Sequence, residues 1–370
     1  MRSLVKPAKL QPGDKVATVS LSAGTAGDAA TNWRYWQGKE RIEQLLGFEV
    51  VEMPHTLAGS EYLAANPQAR ADDMMAAFND PTIKGIFSCI GGSDAIKMLP
   101  YIDLAVIHSN PKVFMGYSDT TTNHLMCYKA GLSSIYGPAL LSDFAENVAM
   151  PEYTLHWVKR TLFDTEPIGE IPVAPAWCSQ RLDWVIENKD TARGFQPNTG
   201  YEVIQGSGSV QGRLIGGCLE VFLSDLETDL FPSEADFQDA LLFFETSEMQ
   251  PPPTESYEFT ITSPAGWFGL AQGTKATIWG ILPMLQTLAA KGILQKAAGL
   301  VFAKPVDEKY YHEYQVAIRK ALAECGRAEM PVLYNLSFGH CEPKFCLPYG
   351  ALAEINCTNR IFSILESAVI

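Results

Sequence analysis

The stretch KVFMGYSDTTTNHLMCYKAG, residues 112–131, decides the fold prediction. Its apolar run, 113–115, is typical of a buried strand, and the residues from Thr121 onward have the composition of a helix. A strand that passes through Gly116 directly into a helix predicts one unit of a parallel α/β sheet. Ser118 lies at this turn, where a serine is either a helix cap or an exposed nucleophile. The local pattern favours the cap, because the second glycine of a nucleophile turn is missing.

Strand-like and helix-like segments alternate on both sides of this stretch. Segments with helical periodicity lie at 33–46, 69–78 and 94–102, each between two apolar runs. Such alternation is typical of an α/β fold with a doubly wound, mostly parallel sheet. We therefore expect an N-terminal domain of this class, Rossmann-like or flavodoxin-like, over residues 1–165. Its predicted strands are 15–22, 48–54, 83–90, 112–118 and 133–140.

Residues 166–208 differ in composition from the sequence on either side. They are rich in proline, glycine and polar residues and show no sustained period, yet they contain Trp177 and Trp184. Long loops in compact proteins are often functional, so we expect a linker and substrate-binding loop. A smaller mixed α/β domain is predicted over 209–370. Its predicted strands are 210–216, 240–245, 297–303 and 351–356, and its predicted helices lie near 218–226, 276–292 and 310–325.

Composition and charge exclude several classes of partner. The chain has 370 residues, enough for two hydrophobic cores, and 47% of them are hydrophobic. A net charge of -14 predicts no nucleic acid polymer as partner, because the phosphates would be repelled. The most hydrophobic stretch, 276–294, contains Pro283, Gln286 and Lys291, which predicts a buried helix and no membrane span.

The N-terminus and the cysteines favour a cytoplasmic protein. Lys6, Pro7 and Lys9 interrupt the N-terminus before an apolar run can form, so no secretory signal is expected. The eight cysteines include no C-x-x-C pair, and most of them lie in apolar runs. Reduced, buried thiols are the simplest interpretation.

A second strand-to-helix turn contains the paired glycines Gly91 and Gly92, followed by Ser93 and Asp94. Paired glycines let the backbone approach a ligand closely, and a helix N-terminus offers N–H groups to an anion or a developing oxyanion. A tight turn followed by a serine or aspartate cap fits the same spacing. The spacing alone does not decide between these two interpretations.

A nucleophilic serine needs a base and a group that orients the base. His340 follows a strand and a glycine in a loop of turn residues, where a side chain can face a cleft. Glu245 ends an apolar strand and is a candidate for the orienting carboxylate, with Glu248 as a competing candidate. Taken singly, each of these residues is more often structural or solvent-exposed. The other histidines are His55, His108, His124, His156 and His312.

Six blocks of sequence are more informative together than separately. They are CIGGSDAIKML (89–99), FMGYSDTT (114–121), GRLIGGCLEVF (212–222), LLFFETSE (241–248), AAGLVFAKP (297–305) and FGHCEPKFCLPYGALAEIN (338–356). In this order they resemble the LD-carboxypeptidase family of serine peptidases over nearly the whole chain. Within the family, the pattern is most similar to the microcin C self-immunity branch.

The resemblance implies a catalytic triad and an oxyanion hole. By this resemblance Ser118 is the nucleophile, His340 the general base, and Glu245 the residue that orients His340. The backbone N–H groups of Gly92 and Asp119 would form the oxyanion hole. These roles imply an acyl-enzyme on Ser118, with no metal and no cofactor.

The resemblance also implies a substrate class and an assembly. A small peptide or an aminoacyl nucleotide is the expected substrate, in contact with Gly91 and Ser93. Trp184, or in its place Trp177, would stack on an aromatic ring of the substrate. A homodimer is expected on the same basis. Two alternatives remain, a murein tetrapeptide LD-carboxypeptidase and a noncatalytic protein that binds a small ligand. Lys304 stands where many members have an arginine, so no substrate contact is inferred there.

Overall fold

The computed structural model describes residues 3–247, 251–260, 273 and 275–370. Most of the strands in these residues belong to two sheets. The strands are β1 Lys15–Val19, β2 Glu49–Glu52, β3 Ile83–Ser88, β4 Val113–Gly116, β5 Ile135–Tyr136, β6 Gly169–Glu170, β7 Ala176–Trp177, β8 Gln196–Pro197, β9 Glu202–Gln205, β10 Ser209–Cys218, β11 Leu241–Glu245, β12 Tyr257–Thr260, β13 Lys275–Ile278, β14 Gly299–Ala303, β15 Val332–Leu336, β16 Leu347–Pro348, β17 Leu352–Asn356 and β18 Ile361–Ile364. The α-helices are α1 Asn32–Leu46, α2 Ser60–Ala65, α3 Pro67–Asn79, α4 Leu104–Ser109, α5 Thr120–Ala130, α6 Glu152–Phe163, α7 Leu219–Ser224, α8 Ile281–Ala290, α9 Ile293–Lys296 and α10 Tyr311–Glu324.

The first sheet is mostly parallel. Its strand order is β16-β5-β4-β3-β1-β2, in which β1 to β5 run parallel and β16 joins the edge antiparallel to β5. Strand β4 is buried at every position, as expected for an apolar run in a sheet that is covered on both faces. The predicted class of the N-terminal part, a doubly wound and mostly parallel sheet, is confirmed.

The second sheet is mixed. Its strand order is β6-β18-β17-β10-β11-β14-β15-β9. The central strands β10, β11, β14 and β15 are parallel, and the outer strands pair antiparallel. Because β11 and β14 are buried at every position, they form the centre of the C-terminal core. The prediction of a mixed α/β C-terminal region is confirmed.

Two predicted elements differ in the structure. The strand predicted at 133–140 is reduced to β5, because a glycine and a proline follow it. The helix predicted near 276–292 is divided into strand β13 and helix α8, with Gly280 between them. A Cβ at Gly280 would lie 2.3 Å from the carbonyl oxygen of Glu255, so the chain passes too close to its neighbour there for a side chain.

The segment 166–208, predicted as a linker and substrate-binding loop, contributes strands to the second sheet. Strand β6 pairs with β18 and β9 pairs with β15, whereas β7 and β8 pair with each other. Strand β16 lies well beyond the predicted boundary at residue 209 and nevertheless joins the first sheet. The chain therefore returns once to the first sheet after it has entered the second.

The carboxyl ends of strands from both sheets meet at one place. Ser118 lies just after β4, Glu245 ends β11, and His340 lies in the loop after β15. Ligands of open α/β sheets bind at the carboxyl ends of strands. Within the described ranges, no helix is both long and apolar enough to cross a membrane.

Candidate active site

Ser118 occupies a sharp turn between β4 and α5. Its φ is 63°, a left-handed value that is uncommon for residues other than glycine. The Ser118 carbonyl oxygen accepts hydrogen bonds from the backbone N–H and the hydroxyl of Thr121, at 2.9 and 2.7 Å. Ser118 does not cap helix α5, because the N-terminus of this helix has no side-chain cap. The Ser118 hydroxyl instead faces the loop that follows β15.

His340 lies between Ser118 and Glu245. Its Nε2 is 3.1 Å from Ser118 Oγ, and its Nδ1 is 2.6 Å from Glu245 Oε2. The side chains of His340 and Glu245 are 7% and 1% exposed. In the tautomer that these partners favour, Nδ1–H donates to the carboxylate and Nε2 accepts the serine hydroxyl proton. The three residues predicted as a triad therefore lie in hydrogen-bonded order.

Tyr136 is a further member of this site that the sequence analysis missed. Its hydroxyl donates to Glu245 Oε1 at 2.5 Å and accepts the backbone N–H of Ser118 at 3.1 Å. Burial raises the pKa of Tyr136 well above its usual value, and the charge of Glu245 raises it further. The phenol therefore stays neutral and keeps its proton for Glu245. A tyrosine on a two-residue strand carries no local signal for this role.

The residue before His340 is a glycine for a steric reason. Gly339 has a φ of 77°, and a Cβ at this position would lie 2.4 Å from Glu245 Cγ. Only glycine has both the conformation and the space. Gly339 thus lets the His340 loop lie directly against the carboxylate.

The paired glycines lie close to Ser118 and Ser22. A Cβ at Gly91 would lie 2.7 Å from Ser118 Cβ and 2.9 Å from Ser118 Oγ. At Gly92, φ is 156° and a Cβ would lie 2.2 Å from Ser22 Oγ. In the described part of the chain, the backbone N–H groups of Gly92 and Asp119 have no hydrogen-bond acceptor. These N–H groups are available for an oxyanion, while Ser93 is exposed to solvent.

The side chain of Asp119 connects the two turns. Its Oδ2 accepts the Ser22 hydroxyl at 2.5 Å and the backbone N–H of Ala95 at 2.8 Å. Burial raises the pKa of Asp119, and the hydrogen bond from Ser22 opposes that shift. Next to it, Asp94 forms a fully buried ion pair with Arg70 at 2.7 Å. The glycine turn is therefore held at a fixed position beside Ser118.

A cleft of about 410 Å³ is lined by His340 and by Trp184. Its volume is within the range of small-molecule sites. The guanidinium of Arg34 lies 4.6 Å from the centre of the Trp184 ring, and Trp33 Nε1 donates to the Trp184 carbonyl oxygen. The lining residues are Ala23, Thr25, Arg34, Ile90, Tyr117, Ser142, Glu146, Asn147, Ser179, Gln180, Arg181, Leu182, Asp183, Trp184, Arg193, His340 and Glu342.

The two candidate tryptophans have different environments. Trp184 is partly exposed and lines the cleft. Trp177 is 5% exposed, and the ammonium of Lys304 lies 4.3 Å from its ring centre. A cation lies on both rings, so the burial of Trp177 is what distinguishes it, and such burial is typical of a residue that packs a loop against the protein. Trp184 is thus placed to contact a ligand in the cleft.

The other candidates lie outside this arrangement. His124 is fully buried between the Ser134 hydroxyl and the Gly116 carbonyl oxygen, and burial lowers its pKa to about 4. Glu248, the competing carboxylate, lies outside the described residues. All eight cysteines are free thiols. Across the described ranges, no group of three or more histidine, cysteine, aspartate or glutamate residues could hold a metal ion.

Family models match both halves of the chain. The model of the LD-carboxypeptidase N-terminal domain matches residues 16–137, and that of the C-terminal domain matches 211–280 and 274–355. The chain belongs to the LD-carboxypeptidase family. As a member it is a peptidase, and thus a hydrolase, in agreement with the prediction from the six blocks.

Several relatives of known name share this LD-carboxypeptidase architecture. The microcin C7 self-immunity protein MccF of Escherichia coli is 27% identical over 97% of this chain and 95% of its own. A probable murein peptide carboxypeptidase of Bacillus subtilis is 25% identical over 83% of this chain and 79% of its own. The crystal structure of an MccF-like protein from Streptococcus pneumoniae in complex with AMP is 30% identical, with a TM-score of 0.81, over 95% of this chain and 98% of its own.

Proposed function

We propose that this protein is a serine carboxypeptidase or amidase that forms an acyl-enzyme on Ser118. The observation that supports this proposal most strongly is the hydrogen-bonded order of Ser118, His340 and Glu245, in which His340 lines a cleft. A histidine with a carboxylate on Nδ1 and a hydroxyl on Nε2 is arranged to remove the hydroxyl proton. Tyr136 adds a neutral donor that fixes the carboxylate.

In the proposed reaction, His340 Nε2 takes the proton of Ser118 as Oγ attacks the carbonyl carbon of the scissile amide. The N–H groups of Gly92 and Asp119 stabilise the resulting oxyanion, each contributing about 3 kcal/mol. His340 then gives its proton to the leaving nitrogen, and the C–N bond breaks. A water molecule releases the acyl group by the same steps, which restores the Ser118 hydroxyl.

An aminoacyl nucleotide is the substrate class that we favour. The cleft is lined by His340 and by Trp184, whose ring can stack on a nucleobase. The Streptococcus pneumoniae neighbour was crystallised with AMP, and the Escherichia coli relative is a microcin C7 self-immunity protein. A base on Trp184 would leave the aminoacyl amide on the side of the cleft that contains His340.

A murein tetrapeptide is the second candidate substrate. The Bacillus subtilis relative bears the name of a probable murein peptide carboxypeptidase, and it aligns with most of this chain. This reaction would use the same triad on a terminal D-alanine. The two substrates differ in whether they carry an aromatic ring for Trp184.

A substrate panel tests both catalysis and specificity. The parent, Ser118→Ala and the surface control Ser209→Ala are each incubated with an aminoacyl sulfamoyl adenosine and with a murein tetrapeptide. We expect Ser209→Ala to behave like the parent and Ser118→Ala to lose at least about 1000-fold of the activity. Equal turnover by Ser118→Ala would contradict the proposed mechanism. The absence of an adduct between the parent and a serine-directed reagent, measured by intact mass, would support a noncatalytic binding protein.

A further inference from the structure

A buried cluster of three charged side chains lies next to the cleft. Lys344 Nζ donates to Asp143 Oδ1 at 2.5 Å and to Glu342 Oε1 at 2.8 Å. The side chains of Asp143, Glu342 and Lys344 are 0%, 7% and 1% exposed. We call these three residues the acid–lysine cluster. It contains two carboxyl groups and one ammonium, so in the fully ionised state a negative charge would be left without a partner.

The two carboxyl groups of the cluster differ in their hydrogen bonds. Asp143 Oδ2 accepts the backbone N–H of Ala139 at 2.7 Å and the hydroxyl of Ser142 at 2.6 Å. Glu342 Oε2 is buried and has no donor among the residues that the structure describes. A buried carboxylate oxygen without a donor is unfavourable, whereas a carboxylic O–H can donate to a neighbouring carboxylate. The proton therefore belongs on Glu342.

The electrostatics agree with this assignment. Burial raises the pKa of Glu342 well above its usual value, and the nearby charge of Asp143 raises it further. Burial would also raise the pKa of Asp143, but the ammonium of Lys344 and the hydrogen bond with Glu342 hold it below its usual value. Two adjacent carboxyl groups that share one proton behave in this way.

The cluster contacts the catalytic histidine through Tyr117. The Lys344 ammonium lies 4.1 Å from the centre of the Tyr117 ring, and that ring meets the His340 ring edge-on at 5.1 Å between centres. The Tyr117 hydroxyl donates to Ser142 Oγ, which in turn donates to Asp143. A movement of the cluster would therefore displace the ring against which His340 packs.

The same cluster is connected to the segment that carries Trp184. The backbone N–H groups of Cys178 and Glu342 donate to each other's carbonyl oxygens, at 2.7 and 2.9 Å. Arg193, whose charge acts on Glu342, donates to both carboxylate oxygens of Glu146 in the wall of the cleft. Glu342 thus joins the His340 loop to the wall of the cleft.

We propose that Glu342, in its neutral form, is a positioning residue that holds His340 and the Trp184 segment in their catalytic arrangement by sharing a proton with Asp143. The inference rests on the proposed function of Ser118 and His340. Deprotonation would place two carboxylates on one ammonium and drive Glu342 away from Asp143. The charged or titratable groups that face Glu342 are Asp143, Lys344, Arg193, Tyr117, Cys178 and Cys341.

The test compares Glu342→Gln and Glu342→Ala with the surface control Glu329→Gln. A glutamine offers a carbonyl oxygen to Lys344 and an N–H to Asp143, so it reproduces the neutral acid at every pH. We expect Glu342→Gln to keep kcat within about twofold and to lose the fall of activity that Glu342 ionisation causes at alkaline pH. Glu342→Ala should lower kcat about tenfold or more, with a smaller change in KM. Glu329→Gln should follow the parent.

Two outcomes would overturn the proposal. The first is a Glu342→Gln protein as impaired as Glu342→Ala at all pH values while still folded by circular dichroism. The second is an alkaline limb of activity that is the same in Glu342→Gln as in the parent.

An infrared measurement separates this proposal from the proposed function. In the Ser118→Ala background at neutral pH, Glu342→Gln should remove the C=O stretch of one buried neutral carboxyl group. The loss is read from the difference spectrum of the two proteins, in which the bands of other protonated carboxyl groups such as Asp225 cancel. This readout needs no turnover, so it holds even if no amide substrate is hydrolysed. A spectrum that Glu342→Gln leaves unchanged would show that Glu342 is ionised, and the proposal would fail.

Discussion

The hydroxyl of Tyr136 lies 2.5 Å from Glu245 Oε1, opposite the oxygen that faces His340. The same phenol accepts the backbone N–H of Ser118, so one side chain contacts the acid and the nucleophile turn. The carboxylate is thus fixed on both of its oxygens. A rigid carboxylate would hold the imidazole in the tautomer that the proposed mechanism needs.

We predict that Tyr136→Phe lowers kcat about tenfold and leaves KM nearly unchanged, because it removes a donor that orients the triad. Steady-state kinetics on the best substrate of the panel measures this effect. Tyr334→Phe is the matched control, since its buried hydroxyl donates to the Tyr311 carbonyl oxygen. A Tyr136→Phe enzyme as fast as the parent would show that Tyr136 is only a packing residue.

Gly91→Ala should abolish activity, because its methyl group would lie 2.7 Å from Ser118 Cβ and displace Ser118, the proposed nucleophile. A loss of about 100-fold or more in kcat is expected. Gly85→Ala serves as the control, since its methyl group would meet side-chain atoms of Leu10 and Val16 at 3.2 Å and of Phe87 at 3.6 Å, away from Ser118. Thermal unfolding of both proteins should be compared, because a Gly91→Ala protein that merely fails to fold gives no information about the site.

Trp184→Ala should change substrate binding, whereas Trp177→Ala should change stability. Trp184 lines the cleft, so its loss should raise KM about tenfold for an aminoacyl nucleotide and leave a murein tetrapeptide unaffected. Trp177 is buried beneath Lys304, so its loss should lower the melting temperature. Trp36→Ala is the control for the removal of a tryptophan, because Trp36 is exposed. Equal effects of Trp184→Ala on both substrates would remove the support for a stacked base.

Asp225 should make stability depend on pH. It is 0% exposed, neither carboxyl oxygen has a hydrogen-bond donor in the described ranges, and burial raises its pKa from 3.8 to about 7. Because the folded state holds this proton more tightly than the unfolded chain, stability should fall as the pH rises from about 4 to about 7 and then level off.

Asp225→Asn removes that titration. The variant should gain at most about 4 kcal/mol over the parent at pH 8 and much less at pH 4, as measured by urea unfolding at each pH. Asp239→Asn, on an exposed turn, should show no such difference. A stability gap that is the same at both pH values would contradict a protonated Asp225.

Much of the fold was predictable from local patterns. A parallel sheet is predicted by the apolar run of β4, the turn at Ser118 and the alternating segments around them. This works because apolar residues recur with a different period in strands and in helices. The division of the predicted helix at 276–292 was not predictable. It depends on how closely the backbone at Gly280 approaches Glu255, a distance that periodicity does not encode.

The candidate site was predictable only in part. Ser118, Glu245 and His340 were placed together by family resemblance, since their own spacings favoured ordinary roles. Neither the local sequence pattern nor the family resemblance predicted the roles of Tyr136 and the acid–lysine cluster. Asp143 and Lys344 are 201 residues apart, and nothing near either residue predicts that a lysine would be buried between two acids.

Strand β16 has a consequence for biosynthesis. It pairs Leu347 with Tyr136 and Pro348 with Ile135, so the edge of the first sheet is completed by residues made long after β5. During translation, this edge must stay unpaired until residues 347–348 have emerged from the ribosome. An open edge is a template for association, so a stalled or truncated chain should be prone to aggregate. Hydrolytic activity should likewise appear late. The proposed mechanism needs His340, and Tyr136, which contacts Glu245 and Ser118, acquires its strand partner Leu347 only after His340 has been made.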